Sequence, residues 1–189
     1  HVQPLSLERF GEPLHRFPAF TASVCNLRPK SRGRVDISSA DPDAAPLIDP
    51  NYLSDPEDVQ VAVDAIRLTR KIVQGSALQG FAPQEYLPGE DVQSEEALRA
   101  AAGRIGTTIF HPAGTCRMGN DTLAVVDAQL KVRGVQGLRV ADASIMPEIV
   151  SGNTCSPTVM IAEKAAQMIL DPQPLQAVPA MSLHMPERI

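Results

Sequence analysis

The sequence predicts a mixed α+β fold, in which a mostly antiparallel sheet is covered by helices on one side. Hydrophobic residues make up 43% of the 189 residues, which is enough for a buried core. Two runs of β-favouring residues, 20–27 and 34–38, flank the breaker RPKSRG and predict a hairpin in the main sheet. Three later stretches repeat apolar residues at helical spacing, so helices are expected to follow the hairpin along the chain.

The segments on either side of this hairpin are rich in proline. Residues 1–16 show no periodicity and are expected to form an irregular lead-in. An extended connection follows the hairpin and ends at a clear helix start. Asp55 is a favoured N-cap and Pro56 suits the first helical position, so we predict a helix from there to a stop at Gly75.

A second helix and two short strands are predicted in the middle of the chain. Ser94 is expected to cap a helix over the stretch EEALRAAAGRI. Leu130–Val132 and Leu138–Ala141 look like short strands, and the turn between them lies at Gly134 to Gly137.

The last predicted helix spans residues 157–170 and starts with Ser156 as cap and Pro157 in the first turn. Its side chains are apolar over most of the circumference, and a helix of that kind is normally buried on more than one side. Residues 171–189 contain several prolines and are expected to form a loose tail.

Composition excludes several classes of partner. The net charge of −5 gives the chain no reason to attract phosphate backbones, so nucleic acid is not expected to bind. No apolar run reaches about 18 residues, and no membrane span is predicted. Cys25, Cys116 and Cys155 lack the spacing of a metal site or a disulfide framework. The sparse cysteines favour a reducing compartment, and we expect a cytoplasmic location.

Two short stretches carry residues that could do chemistry. FHPAGTCRMG contains His111, and a lone histidine is more often structural or solvated than catalytic. VSGNTCSP places Asn153 in a tight turn before the last helix, whose N-terminus presents unpaired N–H groups and a positive partial charge. Such a helix end can stabilise negative charge. Taken singly, Asn153 is better explained by its tolerance of a left-handed turn, with Ser156 as the cap of the helix.

The order and spacing of three blocks carry a family resemblance. HPAGTCRMG, then VVDAQLKVRGVQGLRVADASIMP, then SGNTCSPTVMIAEKAA resembles the C-terminal part of the glucose–methanol–choline family of flavin-dependent oxidoreductases. Upstream, PLIDPNYLSDPEDVQVAVDAIRLTRKI resembles the proline-rich connection and following helix of that family. The resemblance covers most of residues 17–170.

The resemblance implies an alcohol oxidoreductase that uses FAD. His111 and Asn153 occupy the positions of the catalytic pair that faces the flavin ring, with an alcohol between them and the ring. His111 would take the hydroxyl proton as a general base while the C–H hydride leaves for the flavin. Asn153 would hold the substrate oxygen and support its developing negative charge.

The resemblance also implies further residues against the cofactor. The backbone N–H groups of Thr154 and Cys155 would support negative charge on the flavin after hydride transfer. Asp142 and Ala143 would lie against the cofactor, and Phe110 would neighbour the ring system. Residues 17–110 would then form the substrate-side sheet and helices, and residues 111–170 the catalytic, flavin-facing segment.

One expected motif of such an enzyme is missing. No G-x-G-x-x-G fingerprint for the adenine half of FAD lies between a strand and a helix, because Gly103 and Gly106 have the wrong spacing and follow a helix. With His1 as the first residue, this leads us to expect the C-terminal piece of a longer enzyme. The piece alone is expected to be inactive and without bound FAD, because its partner, the N-terminal FAD-binding portion, is absent.

The last helix would return to that missing portion in the parent enzyme. Without it, we expect the segment from about Asp142 to Leu170 to be displaced or disordered, or covered by a second copy in a homodimer. Two alternatives to the enzyme hypothesis stay open: a stand-alone binding module with this fold, and a lyase-like relative that binds flavin without redox turnover. Flavin reduction by an alcohol would separate the oxidoreductase from the lyase.

Overall fold

The computed structural model describes residues 1–171. Its elements follow one another as four short strands, two main helices with a short helix between them, and a last long helix. The strands are β1 (Val2–Gln3), β2 (Thr21–Ala22), β3 (Arg34–Asp36) and β4 (Leu47–Asp49), and the helices are α1 (Pro56–Val73), α2 (Ser76–Gln79), α3 (Glu95–Ile105) and α4 (Cys155–Leu170). The mixed helix-and-strand composition and the antiparallel pairing are as predicted.

The predicted single main sheet is not found within residues 1–171. In the described residues the four strands form two separate two-stranded sheets, with β1 paired to β2 and β3 paired to β4. The lead-in 1–16, expected to be irregular, contributes β1 and an antiparallel bridge between Leu7 and Leu14. The proline-rich connection contributes β4, which turns the chain back alongside β3.

The predicted hairpin between residues 20–27 and 34–38 is therefore wrong, although neither segment is helical. The cause lies in the breaker between them. The buried carboxylate of Asp58, in the first turn of α1, accepts hydrogen bonds from the backbone N–H groups of Lys30 at 2.9 Å and Ser31 at 2.7 Å. The breaker is bound to the start of α1 instead of closing a turn, so the two strands separate and find other partners.

The first two long helices begin where the sequence predicts. The side chain of Asp55 accepts a hydrogen bond from the N–H of Glu57 at 2.8 Å, and Pro56 is the first helical residue of α1. The Ser94 hydroxyl accepts from the N–H of Ala97 at 3.1 Å at the start of α3. Both caps satisfy N–H groups that have no partner inside the helix.

Helices α1 and α3 pack against each other and form one part of the core. Val63 of α1 and Leu98 and Ala101 of α3 are almost completely buried. Arg70 fastens the intervening loop to α1, because its guanidinium makes two hydrogen bonds to the carboxylate of Glu85, at 2.7 and 2.8 Å. This paired geometry is the strongest form of an arginine–carboxylate contact.

A second part of the core lies in the C-terminal third of the chain. It is a cluster of buried apolar side chains, namely Val126, Leu130, Ile145, Met146, Ile161 and Ala165. The predicted short strands at 130–132 and 138–141 are single antiparallel bridges, Val126 to Val132 and Lys131 to Arg139, and not strands. The turn between them is as predicted, with Gly134 and Gly137 at φ of 78° and 76°.

Helix α4 begins at Cys155, two residues before the predicted start, and its N-cap is Thr154 instead of Ser156. Only one face of the helix is buried by the described residues, through Ile161 and Ala165. The prediction of burial on more than one side is not met within residues 1–171. The exposed face carries the large side chains Val159, Met160, Ile169 and Leu170.

The segment from Asp142 to Leu170 is packed onto the C-terminal core, so it is neither displaced nor disordered. The other alternative, that a second copy covers its exposed face, stays a prediction. The predicted loose tail, residues 171–189, lies outside the described residues apart from Asp171.

Candidate active site

His111 lies on the loop that connects α3 to the C-terminal core. Three backbone hydrogen bonds fasten this loop to a 3-10 turn, Ala143–Ile145. They run from the N–H groups of Gly114, Cys116 and Met118 to the carbonyls of Ala143, Ser144 and Ile145, at 3.4, 2.9 and 2.8 Å. The first and second sequence blocks are therefore held side by side through their backbones.

The 3-10 turn is itself closed by a side chain. The carboxylate of Asp142 accepts a hydrogen bond from the N–H of Ser144 at 2.7 Å and another from the Ser144 hydroxyl. Ile145 and Met146 follow at once and are buried in the C-terminal core. The turn gives the histidine loop a rigid support, because Ile145 and Met146 cannot move without opening the core.

Gly114 permits the close approach of the two segments. Its φ is 90°, in the region that side-chain-bearing residues avoid. A Cβ at this position would lie 3.2 Å from the carbonyl oxygen of Met146. A glycine is therefore required three residues after His111 if the loop is to lie against the turn.

His111 contacts the start of α4 through both ring nitrogens. Its Nδ1 lies 2.8 Å from Oγ1 of Thr154, and its Nε2 lies 2.9 Å from Nδ2 of Asn153. An amide nitrogen can only donate, so Nε2 is the acceptor of the Asn153 hydrogen bond. A neutral imidazole then carries its proton on Nδ1, which donates to the threonine hydroxyl oxygen. The contacts leave the lone pair of Nε2 directed at Asn153.

The first turn of α4 has no side-chain cap. Thr154 is the N-cap residue, but its hydroxyl contacts His111 instead of a helix N–H group. The first hydrogen bond inside the helix runs from the N–H of Thr158 to the carbonyl of Thr154, at 3.0 Å. The preceding N–H groups have no side-chain partner within residues 1–171 and present the positive end of the helix dipole beside Asn153.

The structure brings some of the predicted site residues to His111 and leaves others aside. Asn153 and Cys155 are exposed at the start of α4, whereas Thr154 is buried, with 8% of its surface exposed. Phe110, at a φ of 62°, is 58% exposed next to the histidine. Asp142 and Ala143 lie in the supporting turn, and the Asp142 carboxylate is directed at Ser144.

Two features of the site were missed from the sequence. The sequence predicts a role for Thr154 only through its backbone N–H and gives no sign of the side-chain contact with His111. The ring of Phe10 packs on Phe110 with centroids 4.9 Å apart, from a lead-in 100 residues upstream. The residue type of Thr154, a hydroxyl beside Asn153, could have suggested its contact. No local signal points to Phe10.

Among residues 1–171 there is no cluster of three or more His, Cys, Asp or Glu side chains that could hold a metal ion. None of the described helices is long and apolar enough to cross a bilayer. The described cysteines, Cys25, Cys116 and Cys155, are unbridged.

The chain is similar in sequence to known dehydrogenases. The chain is 45% identical over 170 residues to an alcohol dehydrogenase [acceptor] from Pseudomonas putida, which covers 90% of this chain and 31% of that protein. It is 46% identical over 175 residues to an oxygen-dependent choline dehydrogenase from Ectopseudomonas mendocina, at 93% and 31% coverage. The chain thus spans about a third of the length of the curated relatives it matches.

The fold is also similar to that of a solved oxidoreductase structure. An FAD-dependent oxidoreductase from Chaetomium thermophilum superposes with a TM-score of 0.71 at 36% identity, over 76% of this chain and 25% of that one. The family model described as GMC oxidoreductase matches residues 29–162, which include His111 and Asn153. The chain therefore belongs to the glucose–methanol–choline (GMC) family of oxidoreductases.

Proposed function

We propose that this chain supplies the catalytic pair and the flavin-facing segment of an FAD-dependent oxidoreductase that acts on alcohols. The observation that carries the proposal is the contact between His111 Nε2 and Asn153 Nδ2 at the exposed, uncapped start of α4. A general base and a hydrogen-bond donor meet there at an open surface. The alcohol and choline dehydrogenases among its relatives support the substrate class.

The proposed reaction is a two-electron oxidation, in which a CH–OH group loses one proton and one hydride. The hydroxyl proton goes to Nε2 of His111, the C–H hydrogen leaves as hydride, and the carbon–oxygen bond becomes a carbonyl. When bound, FAD supplies the acceptor for the hydride. The protein contribution is to place a base at the hydroxyl and a donor at the oxygen as charge develops on it.

The contact seen in the structure explains how the substrate would enter. Nε2 of His111 already accepts a hydrogen bond from Asn153. A substrate hydroxyl would displace this N–H from the lone pair and donate its own proton to Nε2. The released amide N–H would then donate to the substrate oxygen. One hydrogen bond between the two side chains would become two hydrogen bonds to the alcohol.

The start of α4 fits the electron-rich part of a flavin. The helix has no side-chain cap, and its first N–H groups lie next to the exposed Asn153. Negative charge beside a helix N-terminus is stabilised by the dipole and the free N–H groups. The residues proposed to contact the flavin are Phe110, Asp142, Ala143, Thr154 and Cys155, the last two through their backbone N–H groups.

The exposed apolar face of α4 fits the same proposal. Val159, Met160 and Ile169 are each more than half exposed, which is unusual for large apolar side chains gathered on one helix. We propose that a flavin-binding portion of the enzyme covers this face, with a second copy of the chain as the alternative. Residues 17–110 would form the substrate side and residues 111–170 the flavin side.

A cytoplasmic location forms part of the proposal. Cys25, Cys116 and Cys155 are all unpaired thiols, as is usual in a reducing compartment. Fractionation of cells that carry the intact protein would test it, and recovery in a membrane or secreted fraction would contradict it.

Anaerobic flavin reduction tests the proposed activity. The flavin-loaded enzyme that contains this chain, called the holoenzyme below, is mixed with choline, a primary aliphatic alcohol or a benzylic alcohol. Loss of the oxidised flavin absorbance with formation of the aldehyde is expected for at least one of them. An unchanged spectrum with every alcohol would contradict the redox proposal and favour the lyase-like alternative.

A further inference from the structure

We propose that Thr154 is a positioning residue, whose hydroxyl holds the His111 ring in the orientation that leaves Nε2 free to accept the substrate proton. This inference rests on the proposed function. It assigns a task to a side chain that the helix start would otherwise use as a cap. The distance of 2.8 Å between Thr154 Oγ1 and His111 Nδ1 is that of a good hydrogen bond.

The two contacts of the ring differ in what happens to them when a substrate binds. The Asn153 contact occupies the Nε2 lone pair and has to give way to the alcohol. The Thr154 contact is on the opposite ring nitrogen and can persist. Once Asn153 has turned to the substrate oxygen, Thr154 holds the ring against rotation.

The Thr154 hydroxyl accommodates the tautomer that the Asn153 amide sets, because a hydroxyl oxygen can accept a hydrogen bond from Nδ1. With the proton on Nδ1, the ring donates to Oγ1, and Nε2 has a lone pair for the substrate. With the proton on Nε2, the ring would present a donor to the alcohol and could not act as its base. After proton transfer the ring has N–H groups on both nitrogens, and Oγ1 can still accept from Nδ1.

The surroundings of Thr154 suit a fixed partner. Its side chain is largely shielded from water, so few solvent molecules compete for the hydrogen bond. Its carbonyl accepts both the N–H and the hydroxyl of Thr158, at 3.0 and 2.6 Å, which locks its backbone to the first turn of α4. A threonine at the N-cap usually accepts a hydrogen bond from a helix N–H group, but the Thr154 hydroxyl does not.

Two variants separate the hydroxyl from the shape of the side chain. Thr154→Val keeps the branched shape and loses the hydroxyl, whereas Thr154→Ser keeps the hydroxyl and loses the methyl group. In the holoenzyme, we expect Thr154→Val to slow flavin reduction about 10- to 100-fold, by analogy with the loss of a partner that orients a metal-bound histidine. Thr154→Ser should stay close to the wild-type rate, and alcohol affinity and flavin content should hold in both. Thr69→Val, which removes a partly buried hydroxyl from α1, is the matched control and should leave the rate unchanged.

A second measurement does not depend on turnover. NMR of the holoenzyme with ¹⁵N-labelled histidine should show neutral His111 protonated on Nδ1, and Thr154→Val should shift the Nδ1 resonance, because that N–H loses its hydrogen-bond acceptor. Wild-type His111 protonated on Nε2 would overturn the inference, even if the valine variant failed to fold. The inference would also be overturned if Thr154→Val reduced flavin as fast as the wild type, or if Thr154→Ser reduced it as slowly as Thr154→Val. If no alcohol reduces the wild-type flavin, the proposed function fails, while the tautomer is still measured.

Discussion

Asn153 Nδ2 lies 2.9 Å from His111 Nε2, although 42 positions separate the two residues in the chain. The contact forms because the histidine loop is fastened to the 3-10 turn, Ala143–Ile145, and the start of α4 follows that turn. Both supports rest on the buried cluster that contains Ile145 and Ile161. The geometry of the pair is thus a consequence of the C-terminal core, and each prediction below tests a part of it.

His111→Ala is expected to slow flavin reduction by an alcohol by about two to four powers of ten, because the base that takes the hydroxyl proton is lost. Flavin content should stay near one per protein, since the hydrogen bonds of the imidazole within residues 1–171 go to Asn153 and Thr154 of this chain. Rapid mixing under anaerobic conditions measures the rate. Replacing His15, which contacts Ser6 and lies outside the site, is the control. A wild-type rate in the alanine variant would remove His111 from the mechanism.

Asn153→Ala should cost roughly two to three powers of ten in the same rate, as when one donor to a developing oxyanion is removed. The loss should be smaller than for His111→Ala, because the base remains. Asn120→Ala removes an exposed asparagine amide from the loop after the histidine motif and should have no effect. Equal rates for the two asparagine variants would exclude the proposed donor.

Asp58→Ala should destabilise the protein by about 2 to 3 kcal/mol, because it leaves several part-buried donors without their charged acceptor. The carboxylate binds the N–H groups of Lys30 and Ser31 and the side-chain amide of Asn26. Urea unfolding of the holoenzyme measures the loss. Asp64→Ala, an exposed position on the same helix, is the control and should change stability by less than about 0.5 kcal/mol. A similar loss of unfolding free energy in both variants would contradict the role of Asp58.

The contribution of Asp58 should depend on pH in one direction. Burial raises the pKa of this carboxyl, but hydrogen bonds from Ser31 and Lys30 outweigh burial and hold the pKa below its ordinary value of 3.8. The ionised form is therefore favoured by folding, and its stabilisation is complete above that value and lost as the pH falls through the folded pKa. The stability difference between wild type and Asp58→Asn should shrink below about pH 4. A difference that grows on acidification would show that the pKa is raised instead.

Gly114→Ala should destabilise the protein by more than about 1 kcal/mol and lower the rate of flavin reduction, because alanine does not readily adopt the positive φ. Its Cβ would also crowd the carbonyl of Met146. Gly103→Ala offers the matched comparison, since that glycine is helical and has open space around it. It should stabilise the protein by about 0.5 to 1 kcal/mol. In thermal unfolding, Gly114→Ala should lower the unfolding temperature and Gly103→Ala should raise it. A change in the same direction for both variants would contradict the argument.

The sequence by itself determined the starts of α1 and α3. Asp55 and Ser94 each bind an N–H group two or three residues further on, so the whole interaction lies in one short stretch of chain. The turn with Gly134 and Gly137 was predictable for the same reason, because positive φ is a property of single residues. The order and spacing of three motif blocks, which resemble those of a known family, identify His111 and Asn153 as a pair without any knowledge of their contact.

Only the tertiary structure decided how distant segments pair. The predicted hairpin failed because Asp58 binds Lys30 and Ser31 across 27 to 28 positions, and no pattern within residues 20–38 reports that contact. The sequence also misses that the Thr154 hydroxyl contacts His111, 43 residues away, instead of capping α4. A hydrogen bond across such a separation depends on the packing of the whole C-terminal core. Local caps follow from neighbouring residues, whereas the histidine's two partners follow from the fold.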